Sequence, residues 1–536
     1  MKQPYFCLEL RVIGWLVCLA VSSSPAAIIQ SDICIYGGTS AGVIAAVQAV
    51  KLGKTVAVIE PGSHVGGLAA GGLGWTDIGN KAAVGGLSRE FFRRVGWHYG
   101  KAEAWTFEPS VAEAEFNQFL HEAHAPVYFQ QRLAVVRKTN TIITEVTTES
   151  GNVFRAKIFI DASYEGDLMA RAGVAYFVGR EANATYGETL NGIRGQTPQH
   201  QFVVSVDPFI KPGDPASGLL PFVAPVAFGN PGEGDQSVQA YNFRLCLTKN
   251  PANRKPIQPP AGYDPGKYEL LGRYFDALSA AHREMSLKDF LKIDMVTPEK
   301  TDINNQGGFS TDGIGLNQAY PEADYATRDR IRSELLEYTQ GLLTYLATSP
   351  RVPVSIRAEM EPWGLCQDEF QDTGGWPHQV YVREARRLVG DCVMTEKNCR
   401  RQIVAADSVG LAAYTMDSHN CRRLVRDGRV ENEGDVQVPP MSPYAISYRA
   451  LLPKPAQCEN LLVPVCLSAS HIAYGSIRME PVFMILGQSA ATAAALAIDN
   501  RQSVQRVDYE KLKDRLLADH QVLVWANPTR PAGDQN

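Results

Sequence analysis

The chain has 536 residues, of which 45% are hydrophobic and 20% charged, and its formal net charge is −5. One hydrophobic core rarely serves more than about 250–300 residues, so two or three domains are expected. The ordinary composition excludes a mainly disordered, collagen-like or coiled-coil chain, and the slight acidic excess gives no electrostatic footprint for nucleic acid.

The first 26 residues have the features of a secretory signal peptide. Lys2 and Arg11 flank a start that leads into an apolar run over residues 12–21, and small residues follow up to Ala27. A run of this length is too short to cross a bilayer but suits the hydrophobic segment of a signal, so cleavage is predicted after Ala26. The alternative is a buried N-terminal helix. We therefore expect an exported protein, periplasmic or extracellular, with no membrane span once the signal is removed.

The cysteines are informative mainly for what they exclude. Two of the ten lie in the predicted signal, and no Cys-x-x-Cys pair occurs among the other eight. A zinc knuckle or a dithiol redox motif is therefore not expected. Export permits disulfides, so the prediction is buried thiols with one or two bridges, for which Cys392 and Cys399 are close enough in sequence.

A strand–turn–helix–strand unit begins close to the predicted mature start. An apolar strand over residues 33–36 leads into a glycine-rich turn, apolar residues at helical spacing follow over 43–52, and a second strand over 55–59 ends in Glu60. The turn residues, all predicted to bind a cofactor, are Gly37, Gly38, Thr39, Ser40, Ala41 and Gly42. This order is typical of a dinucleotide-binding βαβ unit, and the alternative is a plain βα turn.

Each residue type in this turn suits a bound pyrophosphate. Gly37 permits the tight turn, and Gly42 lets the helix pack close to the strand. The free N–H groups at the helix start then favour an anion, and Glu60 can accept hydrogen bonds from ribose hydroxyls. Thr39 stands where the fingerprint has its middle glycine, so its hydroxyl or that of Ser40 is expected to bond the phosphate instead.

The segment after the second strand favours FAD over a nicotinamide cofactor. Gly66 and Gly67 are followed by a second glycine-rich stretch over residues 71–77, where a simple nicotinamide domain would enter its next helix. Glycine permits close backbone approach and unusual dihedral angles, which suits a chain that runs along a long extended cofactor. FAD is therefore the predicted cofactor, with Gly66 and Gly67 among the residues that contact it.

With these motifs the chain resembles a known family, the FAD-dependent oxidoreductases whose glutathione-reductase-type Rossmann domain opens with a GGTxAG turn; some members carry the label xanthan lyase. The resemblance runs over nearly the whole mature chain. Its marks are residues 36–42, 65–67, 71–77, 107–112, 160–167, 475–478 and 487–491. Two positions depart from the family pattern, Ser110 in place of histidine and Ala491 in place of glycine.

The resemblance implies an α/β fold, in which a Rossmann-type, glutathione-reductase-like FAD-binding domain carries an inserted α+β substrate or cap domain. Frequent prolines and glycines between residues 202 and 380 agree with an irregular insertion. The expected boundaries are the signal peptide over 1–26, the FAD domain over 27–195 and 396–505, the cap domain over 196–395, and a C-terminal helix and tail over 506–536.

The resemblance also assigns a return strand and the turn after it to the support of the FAD dinucleotide, with Ala162, Ser163 and Asp167 as cofactor-binding residues. Asp161, Glu165 and Asp167 alternatively suit a calcium loop, but their spacing does not match an EF-hand, and no metal site is predicted. Between the two cofactor segments the pattern predicts a helix over 112–123 and strands over 127–136, 142–146 and 153–159.

The middle of the chain combines polar and aromatic residues, with helices predicted over 267–283 and 326–348. The residues concerned are Asp302, Asn304, Asn305, Asp312, Asn317, Trp363, Trp376, His378 and Tyr381. Rings that stack on C–H faces beside amides that bind hydroxyls suit sugar recognition, and the alternative is an irregular loop packing its own aromatics. Arg383, Arg386 and Arg387 are predicted at a helix start, as a solvated or salt-bridged face rather than an anion site.

The last third of the chain is predicted to return to the cofactor. A strand over 460–465 and a turn precede a helix over 482–498 that is rich in small residues, with Pro481 at its start. A helix N-terminus aimed at the flavin ring would stabilise the negative charge that reduction places there. The resemblance places Gln488 and Ser489 of this helix among the cofactor-binding residues.

Three residues are candidates for the chemistry on the substrate. When a flavin takes a hydride from an alcohol, a base must remove the O–H proton, and neutral histidine suits this role near pH 7. His471 and His419 are the candidate bases, and Arg478 is a candidate for holding an oxyanion or a substrate carboxylate. The alternative for each is a structural role.

The expected function is that of an FAD-dependent dehydrogenase, which transfers a hydride between the flavin and a small polar, carbohydrate-like molecule. The electrons then pass to an acceptor that the sequence leaves unknown, and nucleic acid is not an expected partner. Two alternatives remain open: an exported carbohydrate-active lyase, and a non-catalytic glycan-binding protein on a flavoprotein fold.

Overall fold

A computed structural model describes residues 26–526. The strands are, in chain order, β1 (Ile28–Tyr36), β2 (Val56–Ile59), β3 (Val127–Tyr128), β4 (Leu133–Thr139), β5 (Ile142–Thr148), β6 (Val153–Asp161), β7 (Tyr176–Phe177), β8 (Leu247–Thr248), β9 (Arg254–Lys255), β10 (Leu291–Met295), β11 (Thr301–Asn305), β12 (Gly364–Cys366), β13 (Arg387–Leu388), β14 (Ser408–Ala412), β15 (Met416–Ser418), β16 (Arg422–Arg426), β17 (Arg429–Glu433), β18 (Val436–Val438), β19 (Tyr444–Ser447) and β20 (Leu461–Leu462).

The α-helices are α1 (Ser40–Lys51), α2 (Gly67–Ala70), α3 (Gly86–His98), α4 (Pro109–Glu122), α5 (Asp167–Arg171), α6 (Asn183–Tyr186), α7 (Glu269–Ala280), α8 (Tyr325–Thr348), α9 (Val354–Met360), α10 (Glu396–Cys399), α11 (His471–Ile477), α12 (Glu480–Asp499) and α13 (Tyr509–Ala518). The predicted signal peptide up to residue 25 and the predicted tail from residue 527 lie outside the described residues.

The central sheet has the strand order β3-β2-β1-β6-β5-β4, and β20 pairs with β6 off this path. The pairs β1–β2, β1–β6, β2–β3 and β6–β20 are parallel. The N-terminal end of β6 pairs antiparallel with β5, which in turn pairs antiparallel with β4. A parallel sheet that runs from β3 through β1 to β6 and β20 is the dinucleotide-binding arrangement that the sequence predicted. The strands β5 and β4 extend this sheet beyond β6 in antiparallel pairing.

Burial explains why these apolar runs form parallel strands. All four residues of β2 and the last four of β1 are buried, since helices cover the faces of the sheet. Helices α1 and α12 cross in close contact, because a Cβ added at Gly487 would lie 2.3 Å from the carbonyl oxygen of Ala41. Their N-termini also meet, since the Ser40 hydroxyl donates to the Glu480 carboxylate. The fold thereby brings the start of the last long helix to the first glycine turn.

Helix α12 passes a length and apolarity test for a membrane-spanning segment. It is the one such helix within residues 26–526, and 89% of its most apolar stretch is buried inside the protein. Burial to this extent is what a core helix of the Rossmann-type domain requires.

The predicted helices over 112–123, 326–348 and 482–498 correspond to α4, α8 and α12. The predicted strand over 127–136 is divided into β3 and β4, because the backbone leaves the sheet at Gln130, whose φ is +57°. The strand predicted over 460–465 is reduced to β20. The cap-domain boundaries at 196 and 395 stay predictions, although small separate sheets such as β10–β11 and β8–β12–β9 do lie between them.

The helix predicted at Arg383, Arg386 and Arg387 is wrong, and so is the solvated face. Arg383 and Arg386 lie in irregular chain before β13, Arg387 is its first residue, and the three are between 1% and 7% exposed. Each pairs with a carboxylate, so the salt-bridged alternative is confirmed. A guanidinium that is buried this deeply requires such a partner, and the partners come from distant segments of the chain.

Candidate active site and cofactor cradle

The first glycine turn is closed so tightly that side chains are sterically excluded. Gly37 has a φ of +100°, and a Cβ there would lie 2.8 Å from the backbone of Ala162 and Ser163. A Cβ on Gly42 would lie 1.9 Å from the carbonyl oxygen of Gly37. This close approach of backbone to backbone agrees with the prediction made from these glycines. The Gly42 contact, however, is with the turn itself rather than with the strand on which α1 packs.

Thr39 ties the turn to the end of β6. Its hydroxyl accepts from the Gly42 N–H at 3.3 Å, which caps α1, and donates to the carbonyl oxygen of Ala162 at 2.7 Å. The Ser40 hydroxyl is likewise engaged, with Glu480. The geometry therefore does not favour the expectation that either hydroxyl bonds a phosphate, and it leaves that contact to the backbone N–H groups at the start of α1.

Glu60 lies at the tip of β2 facing the turn. One carboxylate oxygen accepts from the Gly38 N–H at 2.6 Å, and the other accepts from the Gly62 N–H at 2.5 Å. Burial raises the pKa of Glu60 to about 7, although these two N–H groups oppose the rise. Each oxygen of a carboxylate can accept more than one hydrogen bond, so capacity for ribose hydroxyls remains.

Gly66 and Gly67 lie beside the first turn. The Gly66 N–H donates to the carbonyl oxygen of Gly38 at 2.8 Å, and a Cβ there would lie 2.3 Å from the ring of Phe116. A Cβ on Gly67 would lie 2.2 Å from the hydroxyl of Tyr164. Both have positive φ, so only glycine fits without strain.

The turn after β6 forms the opposite wall of the same cleft. Ser163 donates to Asp161 at 2.6 Å and lines the cleft together with Thr39, Glu60 and Asp167. Asp167 pairs with Arg328 at 2.6 Å and with Arg386 at 2.8 Å. The calcium alternative is not supported, because these carboxylates are bound by arginines and protein donors rather than turned toward one common point.

The cleft fits FAD on three observations. A glycine cradle with no room for Cβ atoms lies at the start of a helix, an acidic residue stands at the tip of the second strand, and a second wall comes from the return strand. These are the parts that hold a pyrophosphate and a ribose in a Rossmann-type domain.

Glu480, at the start of α12, is a site residue that sequence reasoning missed. Its carboxylate accepts from the Ser40 hydroxyl and, at 2.7 Å, from the Tyr164 hydroxyl, which itself accepts from the Leu68 N–H at 2.8 Å. Burial raises the pKa of Glu480 to about 7. The residue thus joins the starts of α1, α2 and α12 around the cleft. Its one sequence signal is an acidic residue immediately before the helix-initiating Pro481.

Gln488 and Ser489 lie further along α12, and the structure does not bring them to the glycine turn. Gln488 accepts from the Leu87 N–H at 2.8 Å, and the Ser489 hydroxyl donates to the Val409 carbonyl at 2.7 Å. Both side chains are fully buried. Their assignment to the cofactor stays a prediction without a geometric argument in its favour.

The three residues predicted for catalysis lie in one buried hydrogen-bonded network. Arg478, in the link between α11 and α12, donates to the Tyr381 hydroxyl at 2.8 Å and to the Asp417 carboxylate at 2.9 Å. It also donates to the Gln239 side-chain oxygen at 3.2 Å. Since Arg478 stands two residues before Glu480, this network begins next to the cofactor cleft.

His419 lies between two carboxylates of the network. Its Nδ1 is 2.8 Å from Asp312, and its Nε2 is 3.5 Å from Asp417. Burial and the nearby Arg383 act to lower the pKa of His419, but the two carboxylates outweigh them and raise it above its usual value. The two carboxylates therefore favour the protonated form of His419, and its role as a base stays a prediction.

His471, the first residue of α11, has a different environment. Its Nδ1 is 2.7 Å from the Glu384 carboxylate and its Nε2 is 3.0 Å from the Ser418 hydroxyl. A carboxylate at Nδ1 fixes the tautomer that keeps the proton there and leaves Nε2 as an acceptor. Gln239 connects the two histidines. Its side-chain amide donates to the Glu384 carboxylate at 2.9 Å, and its side-chain oxygen accepts from the backbone N–H of His419 at 3.1 Å.

Three buried arginines surround the ring of Tyr381. The guanidinium carbons of Arg383, Arg478 and Arg244 lie 4.6, 5.6 and 5.9 Å from its centroid. Each is paired with an aspartate, and the pairs are Arg383–Asp312, Arg478–Asp417 and Arg244–Asp302.

The polar stretch that the sequence singled out thus supplies Asp302 and Asp312 to this network. Gln239, Arg244 and Glu384 were missed, because neither spacing nor neighbours mark them.

The aromatic residues singled out for sugar binding do not gather in one place. Tyr381 joins the arginines, whereas Trp363 lies under the Lys249 ammonium at 4.5 Å and Trp376 packs against the core. His378 stacks on His64 with ring centroids 3.8 Å apart.

Ser110, which departs from the family pattern, contacts a buried acid. Its N–H and its hydroxyl donate to the Glu369 carboxylate at 2.9 and 2.8 Å, and Lys300 pairs with the same carboxylate. Ser110 therefore belongs to the ion-paired cluster of Glu369 and Lys300 and not to the network around Tyr381.

The family model described as FAD dependent oxidoreductase matches residues 32–516. No curated protein matches the chain.

Among solved structures, an L-amino acid deaminase from Proteus vulgaris has 13% sequence identity, with 34% of this chain and 56% of that chain covered and a TM-score of 0.24. An L-proline dehydrogenase from P. horikoshii has 17% identity, with 29% and 59% covered and a TM-score of 0.24. A flavoprotein/dehydrogenase from Cytophaga hutchinsonii has 15% identity, with 28% and 44% covered and a TM-score of 0.22. The matched part spans about half the length of these proteins.

Proposed function

The chain belongs to the FAD-dependent oxidoreductases, and we propose that it is an exported dehydrogenase that oxidises a small polar, carbohydrate-like molecule at the network around Tyr381. The observation that carries the proposal is the buried network itself. It joins His471, Arg478 and His419 through Gln239, Glu384 and Asp417, and it begins two residues before the cofactor-side helix start. A site so rich in donors and acceptors suits a substrate with several hydroxyls.

FAD, when bound, supplies the acceptor for a hydride from a substrate C–H bond. The chain's own residues must then move the proton of the substrate hydroxyl. Ser418 lies within hydrogen-bond distance of His471 Nε2, so its hydroxyl passes a proton to the imidazole while it takes one from the substrate. Glu384 holds Nδ1–H and stabilises the imidazolium that forms.

Arg478 has the geometry to stabilise negative charge on the substrate oxygen. Its guanidinium is held by Tyr381 and Asp417, and its Nε atom has no hydrogen-bond partner within the described part of the chain. His419, whose pKa the two carboxylates raise, adds positive charge to the same network when it is protonated. Burial strengthens these interactions because water is excluded.

The proposal is tested by anaerobic mixing of the purified protein with a panel of sugars and polyols, read by the loss of flavin absorbance. At least one member is expected to bleach the wild-type protein. In His471→Ala, bleaching by that member is expected to slow by about 10²–10⁴-fold while one FAD per chain is retained. His98→Ala, at an exposed position, is the control. A yellow protein that no member bleaches overturns the substrate class, and an unchanged rate in His471→Ala overturns the assignment of the base.

Export is the remaining part of the proposal. Its support is the charged start, apolar run and small-residue segment within residues 1–27. Expression of the full chain in a bacterium, followed by fractionation and N-terminal sequencing, tests it. We expect mature protein that begins near Ala27 in the periplasm or medium, and full-length cytoplasmic protein would contradict the proposal.

A further inference from the structure

We propose that Cys246 and Cys366 form a disulfide that links β8 to β12 in the mature protein. The two strands pair antiparallel with Leu247 opposite Leu365 and Thr248 opposite Gly364. The same register, carried one residue on, places Cys246 directly opposite Cys366. Their sulfur atoms are 3.6 Å apart, in van der Waals contact.

The backbone geometry suits this bond. Directly opposed residues of an antiparallel pair have Cα atoms about 4.5 or 5.5 Å apart, depending on their hydrogen bonding. Disulfides span Cα separations of about 4.4–6.8 Å, so both values lie within range. Bond formation requires the sulfurs to approach to about 2 Å, which rotation of two short side chains supplies without a shift of register.

The two cysteines form a small cluster of their own. Cys246 is 1% exposed and Cys366 is fully buried, and with Phe370 they form an apolar cluster apart from the main core. The pair closest in sequence behaves differently, since the Cys392 sulfur contacts the Ser447 hydroxyl at 3.5 Å. The structure therefore selects a pair that is 120 residues apart, which sequence spacing gave no reason to choose.

The chemistry is a two-electron oxidation by a disulfide-class oxidant, such as a periplasmic disulfide oxidase or oxidised glutathione. One cysteine attacks the oxidant's disulfide and displaces its first thiol, and the other cysteine then attacks the mixed disulfide and displaces the second. Two S–H bonds are lost, one S–S bond forms, and the two electrons and two protons leave on the oxidant's thiols. Because both sulfurs are buried once the strands have paired, exchange takes place before β12 closes on β8.

The bond would link two chain segments that supply residues to the network of the proposed active site. Arg244, paired with Asp302, stands two residues before Cys246. The chain after Cys366 leads through Glu369 to Tyr381. A link across so long a loop stabilises the native state chiefly by restricting the unfolded chain.

The test uses the full chain exported into an oxidising bacterial periplasm. The purified protein is unfolded without reductant in the presence of an alkylating reagent, and its peptides are mapped by mass spectrometry with and without reduction. We expect a linked peptide pair that contains Cys246 and Cys366 and is released by reduction. We also expect wild-type protein to lose several degrees of Tm after reduction, whereas Cys246→Ser/Cys366→Ser shows no change in Tm with reductant.

Cys392→Ser is the matched control, and it is expected to keep the linked pair. If the protein accumulates only in the cytosol, refolding with oxidised glutathione decides the question by the same mapping. Alkylation of both Cys246 and Cys366 in the protein that has met the oxidant, or their linkage to other cysteines, would overturn the proposal. Because the mapping requires no turnover, its outcome is independent of the substrate and of the proton relay.

Discussion

The cofactor cleft and the charged network are built by opposite means. The cleft depends on missing side chains, since Gly37, Gly42 and Gly66 bring backbone against backbone or ring. The network depends on long side chains such as Arg478 and Glu384, which come from segments far apart in sequence. The difference shows that a binding site made of backbone is a local property of the chain, whereas a site made of charged side chains exists only after folding.

Gly42→Val is expected to have the strongest effect, because it destroys the cleft. The new Cβ would lie 1.9 Å from the Gly37 carbonyl oxygen, so the turn and the start of α1 must separate. We expect purified protein with almost no FAD, measured from the absorbance of the cofactor released on denaturation.

Gly53→Ala is the control for this change. A Cβ at Gly53 meets nothing within 4 Å, so the only cost is the left-handed backbone, about 1–2 kcal/mol. This variant is expected to keep its FAD. A full complement of FAD in Gly42→Val would contradict the description of the turn.

The network is tested next by Ser418→Ala. The hydroxyl 3.0 Å from His471 Nε2 is removed while the imidazole and Glu384 stay in place. We expect flavin reduction to be slower by about 100-fold, within the range of general acid–base catalysis, with FAD content unchanged.

Ser408→Ala removes another buried hydroxyl, one that bonds only within its own strand, and it should reduce the flavin at the wild-type rate. If Ser418→Ala also reacts at the wild-type rate, the hydroxyl is not part of the proton path.

The acidic residue of the cleft gives a smaller, pH-dependent effect. A hydrogen bond to a charged acceptor contributes about 1.5–3 kcal/mol, so Glu60→Gln is expected to weaken FAD binding by at least about tenfold at pH 8. Because burial raises the pKa of Glu60 to about 7, the wild-type carboxylate is present only above that pH. Wild-type FAD affinity should therefore rise through pH 7 and level off, and that of Glu60→Gln should stay flat across it.

Fluorescence titration with FAD between pH 5.5 and 8.5 measures both curves. Glu149→Gln, at an exposed position, serves as the control for removal of one negative charge. Parallel pH curves for the wild type and Glu60→Gln would contradict the role of this carboxylate.

Glu480 joins the helix starts around the cleft, two residues after Arg478 of the network, and its removal gives the smallest effect. Burial raises the pKa of Glu480 to about 7 from an ordinary value of 4.5. Stability from its protonated form is present below about pH 4.5 and is lost as the pH rises through 7. Glu480→Gln stays neutral, so the fall in Tm between pH 5 and 7.5 should become shallower. The loss of one of the two accepted hydrogen bonds should change the free energy of unfolding by about 1 kcal/mol.

Thermal unfolding of FAD-free protein over this pH range checks the expectation. Part of the fall of Tm with pH should remain in Glu480→Gln, because burial also raises the pKa of Asp161, to about 6. Identical slopes in wild type and Glu480→Gln would show that Glu480 does not titrate in this range.

The sequence predicted the cleft well for a physical reason. The turn from Gly37 to Gly42, the strand before it and Glu60 lie within one βαβ unit, where each residue type has a fixed geometric task. Glu480 was missed because its partners, Ser40 and Tyr164, are more than 300 residues away. A contact over that distance follows from the packing of α12 on α1 and leaves no local pattern.

For the charged network, the sequence identified single residues but not the contacts that join them. His471, His419 and Arg478 were identified by chemical type, but their roles follow from partners that only folding supplies. Asp312 and Asp417 raise the pKa of His419, whereas a single carboxylate and a hydroxyl leave Nε2 of His471 as an acceptor. Arg383, Arg386 and Arg387 were predicted at a helix start because the spacing of charges does not reveal burial.

FAD binding in the glycine cleft is tested most directly by the FAD content of the full chain, freshly purified and then incubated with added FAD. We expect one FAD per chain, released on denaturation and absent from Gly42→Val. A wild-type protein that folds, remains colourless and binds none of the added cofactor would contradict it.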